Sequence, residues 1–270
     1  MILTPTQATV VRLDRPPPGA AETDDFAVSP TAVKTVAPND RSGAGTWREF
    51  GRSVSGRPLR LFELTGGGPA TLIFGGIHGS EPESADLAER LARLLTERPE
   101  AAGGRQVLIA PVVNPDGLRL GTRTNVRGVD LNRNFPATNW IATSPVRRFH
   151  PGPSPASEPE TRALVNLVET VRPARIISIH SVSGGRHCNN YDGPAAAIAQ
   201  VMARHNGYRV TDSWDTPTPG SFGSWAGVDA QSATLTLELP FGEAPEVIWQ
   251  RNREALLAAI RADTPVTSGM

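Results

Sequence analysis

A single cysteine, Cys188, in 270 residues excludes an internal disulfide and any cysteine-built zinc site, and it agrees with a reducing compartment. No apolar run approaches the ~18 residues that a membrane helix needs. Residues 1–20, MILTPTQATVVRLDRPPPGA, lack both the basic start and the apolar core of a secretory signal. The expectation is a cytoplasmic protein with no membrane partner. Excess charge is absent too: Lys plus Arg equals Asp plus Glu at 27 each, so no global field draws the chain to nucleic acid. None of this encodes an oligomeric state.

With 39% apolar and 20% charged residues, the chain suits one sizeable domain with an extension. Residues 1–42 carry the proline run Pro16–Pro18 without a helical period and read as an extended N-terminal arm. A catalytic domain is expected over 43–265, with a tail at 266–270. Within it Leu59–Leu64 alternates as a strand. The apolar run that starts at Thr71 and ends at Gly75 and Gly76 reads as a buried strand, and Leu87, Leu91, Leu94 and Leu95 then share one helical face.

Val107–Val113 gives a second buried strand. From Asn114 to Ala156 there is no clean period, and a stretch of that length is more often a functional surface than a linker. A helical stripe (Leu164, Leu167, Val168, Val171), the strand RIISIH from Arg175 and a helix through Ile198, Val201, Met202 and His205 follow, closed by Gly207. Tyr208–Val210 suits a short strand, TPTPGSFGSWAG a glycine-rich loop or single helical turn, ATLTLELP a last strand, and Glu243–Arg261 a helix. Strands alternating with helices predict an α/β/α layered fold on a largely parallel or mixed sheet.

His78 and Glu81 fall in the turn between the Thr71 strand and its helix, where open α/β folds place ligands. Glu81 by itself has a structural explanation. SEPE occurs twice, at Ser80–Glu83 and Ser157–Glu160, and each reads as a capping box, although Glu158 has no histidine nearby. His78 separates the two copies. A catalytic zinc takes three protein ligands and an open position, and His180, also at a strand end, is the candidate third ligand, with His150 and His187 as substitutes. Glu238 is an acid inside an otherwise apolar strand, which suits a general base if it faces a polar site and a solvated residue if its alternation turns it outward. Arg123, Arg127, Asn132 and Arg133 lie within eleven residues and suit oxyanion stabilisation and carboxylate grip.

HGSE, NPDG, RTNVRGVDLNRNFP, ISIHS and LTLELP occur in the order and approximate spacing of the M14 zinc metallocarboxypeptidases, and the chain resembles that family from about Trp47 to Arg261. VDLNRNFP, SEPET and TPGSFGSW are most similar to the bacterial murein peptide amidase A branch. The resemblance implies an α/β/α sandwich on a mixed eight-stranded sheet and one zinc ion on His78, Glu81 and His180. It implies Glu238 as base and later acid, Arg123 polarising the scissile carbonyl, and Asn132 with Arg133 holding the substrate's free carboxylate.

The digestive members carry a lid tyrosine shortly before the base. Here that position falls near Gly227, and no tyrosine lies between Trp225 and Glu238. The implied substrate is a small murein peptide cut at γ-D-glutamyl-meso-diaminopimelate, with Arg186 and Asp192 as the charge pair for the second amine and carboxylate of diaminopimelate. Other readings are a general metallocarboxypeptidase, an N-acyl amino acid hydrolase like aspartoacylase or succinylglutamate desuccinylase, and a zinc-dependent module that binds peptide termini.

Overall fold

Eight strands make one sheet: β1 (Thr46–Arg52), β2 (Pro58–Leu64), β3 (Gly67–Phe74), β4 (Arg105–Ala110), β5 (Arg175–Val182), β6 (Cys188–Asp192), β7 (Arg209–Thr211) and β8 (Ala233–Pro240). Their order is β1-β2-β4-β3-β5-β8-β6-β7. The centre, β4, β3, β5 and β8, is parallel, β6 runs antiparallel to β8, and β1 and β2 form an antiparallel edge. The computed structural model describes residues 45–212 and 218–263. The expected arm at 1–42 and tail at 266–270 lie outside the described residues, as does the start of TPTPGSFGSWAG.

Helices α1 (Pro82–Glu97), α2 (Pro115–Leu120), α3 (Pro159–Val171), α4 (Ala196–Asn206) and α5 (Pro245–Arg261) cover the sheet. Leu87 and Leu91 of α1, Met202 of α4 and Leu256 of α5 pack on Ile73, Ile177 and Leu235. On the other face Leu164 and Val168 of α3, with Phe222, pack on Leu72, Phe74 and Ile176. Each such side chain removed from water stabilises the fold by about 1.5–3 kcal/mol. The result is the expected α/β/α sandwich on a mixed sheet. Among the described residues no helix is long and apolar enough to cross a membrane.

Period two along β8 decides what faces the chemistry. Leu235, Leu237 and Leu239 join the first core, which sends Thr234, Thr236 and Glu238 to the opposite face. Strand β5 does the same with Ile177 and Ile179 on one side and Ser178 and His180 on the other. Glu238 therefore faces inward into a polar site, and its alternation does not turn it to solvent.

Several local expectations need correction. Strands β1 (TWREFGR) and β6 (CNNYD) are too polar to stand out as strands, and α2 is only six residues long. Strand β4 stops at Ala110, since Pro111 has no N–H to continue the ladder. Neither SEPE segment forms a capping box. In both, proline takes the first helical position, which makes Glu81 and Glu158 the N-cap residues and leaves each serine one place too early. Glu83 instead accepts the Gly242 N–H at 2.8 Å and Glu160 the Val54 N–H at 2.9 Å.

The long segment after β4 is irregular apart from α2 and two short 3₁₀ turns, and Asn134 fastens it. This fully buried side chain faces the carbonyls of Pro151 (2.7 Å) and Ser154 (3.0 Å) and the Ser157 hydroxyl (2.9 Å), and it accepts the Glu158 N–H at 3.1 Å. Asn134→Ala strands these groups without partners, so urea unfolding is expected to show a loss of about 3 kcal/mol. A loss within ~0.5 kcal/mol, typical of a neutral surface change, would show that the loop is held by other means.

Candidate active site

Three strand ends bring the ionisable groups together. The turn after β3 carries His78, Glu81 starts α1, and His180 and Glu238 are register partners near the carboxyl ends of β5 and β8. Although Glu81 is an N-cap residue, its carboxylate turns away from the helix end. It lies 2.8 Å from His78 Nδ1 and 3.1 Å from His180 Nδ1, and accepts the Ser181 N–H at 3.1 Å. The two histidine Nδ1 atoms are 3.2 Å apart.

Two imidazole nitrogens and a carboxylate, all buried, thus present donor atoms within 4.8 Å of one another. Such a set fits a metal ion with nitrogen and oxygen ligands. His150 and His187, the substitutes weighed from sequence, are not in this group. His187 instead packs against the Tyr208 ring, at 4.7 Å between centroids.

Asp130 was not singled out from sequence, and it organises the cluster. Its Oδ1 is 3.0 Å from His78 Nε2 and its Oδ2 accepts Arg123 Nε at 2.9 Å. That contact fixes the His78 ring with Nδ1 toward the site, the usual task of a carboxylate behind a metal-binding histidine. The clue in the sequence was an acid enclosed by arginines in RTNVRGVDLNR.

Burial dominates the electrostatics. It opposes a charge on His78, but Glu81 and Asp130 outweigh it and hold the His78 pKa above its usual value. Burial also works against the Glu81 charge, yet the two histidines keep Glu81 well below the carboxylate range. Asp130 is likewise lowered, by His78 and Arg123 against its burial. Burial pushes His180 down. At Glu238 burial, reinforced by Glu81, outweighs His78, Arg123 and Arg186 and pushes the pKa up to about 8.

A cavity of about 510 Å³ opens over these groups. Arg123, Asn132, Arg133, Arg186 and Asp192 all line it, together with His78, Glu81, His180 and Glu238. Arg123 also touches Glu81 at 3.3 Å. Asn132 accepts the Phe222 N–H on Oδ1 at 2.8 Å, and Arg133 donates to the Asn132 carbonyl at 2.7 Å. Arg186 is an exposed side chain that donates to the Ser183 carbonyl. Arg127 turns elsewhere, toward Glu158 at 3.4 Å.

The sheet forms a polar floor. Ser178, Thr236 and Asn190 are aligned across β5, β8 and β6, and Ser178 Oγ and Asn190 Oδ1 are buried with no hydrogen-bond partner among the described residues. Asp192, two residues further along on the same face of β6, is half-buried with no ion pair among the described residues, and burial raises its pKa. Its space depends on glycine. A Cβ on Gly223 would lie 2.2 Å from Asp192 Oδ2, and one on Gly227 2.3 Å from its Cβ. Both glycines belong to a π-helical segment, Gly223–Asp229, an element that often marks functional sites.

The model of the zinc carboxypeptidase family matches residues 46–188. This chain belongs to that family. The zinc carboxypeptidase is 36% identical over 207 residues to murein peptide amidase A of Escherichia coli (strain K12), covering 71% of this chain and 80% of that protein. It is 33% identical over 227 residues to the Vibrio campbellii protein of the same name, covering 79% and 87%. The crystal structure of murein-tripeptide amidase MpaA from Escherichia coli O157 aligns with a TM-score of 0.66 at 29% identity, over 80% of this chain and 92% of that one. Bovine thrombin-activatable fibrinolysis inhibitor, at 20% identity and a TM-score of 0.67 over 81% and 88%, shares the fold. The chain is therefore a hydrolase of the zinc carboxypeptidase type, and His78, Glu81 and His180 are the group of described residues arranged to take the zinc.

If Asp130 orients His78, Asp130→Asn should weaken zinc binding about 10–100-fold, measured by competition with a chromophoric chelator. Unchanged affinity would mean that the ring is fixed by its packing.

Proposed function

We propose that this enzyme hydrolyses the amide bond before a terminal, carboxylate-bearing residue, and that the bond is γ-D-glutamyl-meso-diaminopimelate in small murein peptides. The relatives named murein peptide amidase support the substrate class. The observation that carries the reading is Asp192, a carboxylate with no ion pair among the described residues, beside a polar floor in a cavity whose other wall is rich in arginine. Diaminopimelate has a second amine and a second carboxylate at its far end. Asp192 takes the ammonium and Arg186 the carboxylate, whereas an apolar side chain would leave Asp192, Asn190 and Ser178 desolvated and unpaired.

His78, Glu81 and His180 would hold the zinc, which when bound would supply Lewis-acid polarisation of the carbonyl and acidify water. Arg133 and Asn132 grip the α-carboxylate of the terminal residue, which sets the bond to be cut over the metal ligands. Arg123 donates hydrogen bonds to the carbonyl oxygen as negative charge grows on it. Glu238, buried beside the metal ligands on the polar face of β8, takes the proton of the attacking water on a carboxylate oxygen in its ionised form. It then returns that proton to the leaving amine, which restores the starting state.

The test pairs a variant with a substrate panel. Glu238→Gln should keep one zinc per chain and lose about 10²–10⁴-fold in kcat; a normal rate would remove Glu238 as the base. Wild-type enzyme should release diaminopimelate from L-Ala-γ-D-Glu-diaminopimelate in preference to residues from ordinary C-terminal peptides. The opposite preference would make it a general carboxypeptidase.

A further inference from the structure

Phe149 stands among three guanidinium groups. The Cζ atoms of Arg123, Arg133 and Arg148 lie 5.1, 5.2 and 4.8 Å from its ring centroid, all within the ~6 Å reach of a cation–π contact. The ring is brought there by a 3₁₀ turn, Arg147–Phe149. The next residue fixes it, since the His150 carbonyl accepts the Asp130 N–H at 2.8 Å. Asp130 therefore anchors this turn as well as His78 and Arg123.

Two of the three cations already have partners or tasks. Arg123 is bonded to Asp130 and Glu81. Arg133 is part-buried beside Asp130 and faces the terminal carboxylate in the reading above. Arg148 is different: it is exposed, lines the same cavity, and makes no ion pair or hydrogen bond with the described residues. Its stacking on Phe149 restrains a guanidinium at the mouth of the site, with every N–H still available.

The substrate supplies the matching charge. When glutamate is joined through its γ-carboxyl, its α-carboxylate stays free on the acyl side of the bond that is cut. An α-linked peptide has a carboxylate at that distance only where its acyl residue is itself glutamate. The α-carboxylate carbon and the γ-carbonyl carbon are four bonds apart, about 5 Å when extended. Arg123 and Arg148 contact one ring, so their Cζ atoms are no more than about 10 Å apart, and a segment of that length with a hydrogen bond at each end spans the gap.

We propose that Arg148, held by Phe149, binds the free α-carboxylate of the γ-linked glutamyl residue and so selects γ-glutamyl amides over α-linked peptides whose acyl residue is uncharged. This inference rests on the proposed function and adds an acyl-side determinant to the leaving-side pair, Asp192 and Arg186.

The experiment compares L-Ala-γ-D-Glu-diaminopimelate with the same peptide carrying an amide in place of the glutamyl α-carboxylate. Wild-type enzyme should favour the carboxylate form roughly ten-fold in kcat/KM, the strength of one charge-assisted contact near solvent. Arg148→Met should bring that ratio close to one, and Arg148→Glu should invert it. The same ratios should appear in Kd for the two peptides measured on the Glu238→Gln background. A wild-type ratio near one, or a preference that survives Arg148→Met, overturns the role of Arg148 and leaves the peptidase reading standing. Failure of the wild-type enzyme to cleave either peptide overturns the proposed function, and this inference with it.

Discussion

Desolvated charge at the carboxyl ends of β3, β5 and β8 is the constraint on which the rest depends. His78, Glu81, Asp130, His180 and Glu238 are all buried there, and buried ionisable groups persist only when paired or bound to a metal. Asp130 and Glu81 bracket His78 and share Arg123. Glu81 and the two histidines have donor atoms left that point at one another, an arrangement that a divalent cation satisfies and that protons satisfy poorly. At Glu238 burial and the Glu81 charge outweigh His78, Arg123 and Arg186, and its raised pKa follows. Ligand set and base are thus separated by how far positive neighbours offset burial at each carboxylate.

Strand parity delivers these groups. Because β8 places its leucines in one core, every second residue goes to the other face, so one pattern builds the hydrophobic layer and the catalytic wall together. The same parity on β5 and β6 aligns Ser178, Thr236 and Asn190. Glycine completes the pocket by omission, since any side chain at Gly223 or Gly227 would occupy the space of Asp192.

Much of this was legible in the sequence, for identifiable reasons. Long apolar strands and periodic helices announced the layers, and strand-end histidines with an acid in the same turn announced the metal group. The capping boxes did not form, because Pro82 and Pro159 fix where each helix begins and serine falls one place outside. Strands β1 and β6 were hidden by polar residues that face solvent or the cavity instead of a core. Asp130 was overlooked since its partner lies 52 residues away in His78, and the Phe149 stack since arginines in an irregular loop read as solvated. Side chains that act across the fold leave little periodic trace.

The central claim is that His78, Glu81 and His180 together hold one zinc ion. Anomalous diffraction from crystals of the zinc-loaded protein, collected on both sides of the zinc absorption edge, tests it most directly. One peak per chain is predicted, about 2.0–2.1 Å from Nδ1 of His78 and of His180 and about 2.0–2.2 Å from a Glu81 oxygen. A peak held by any other set of residues, or no peak in protein that contains stoichiometric zinc, would contradict the account.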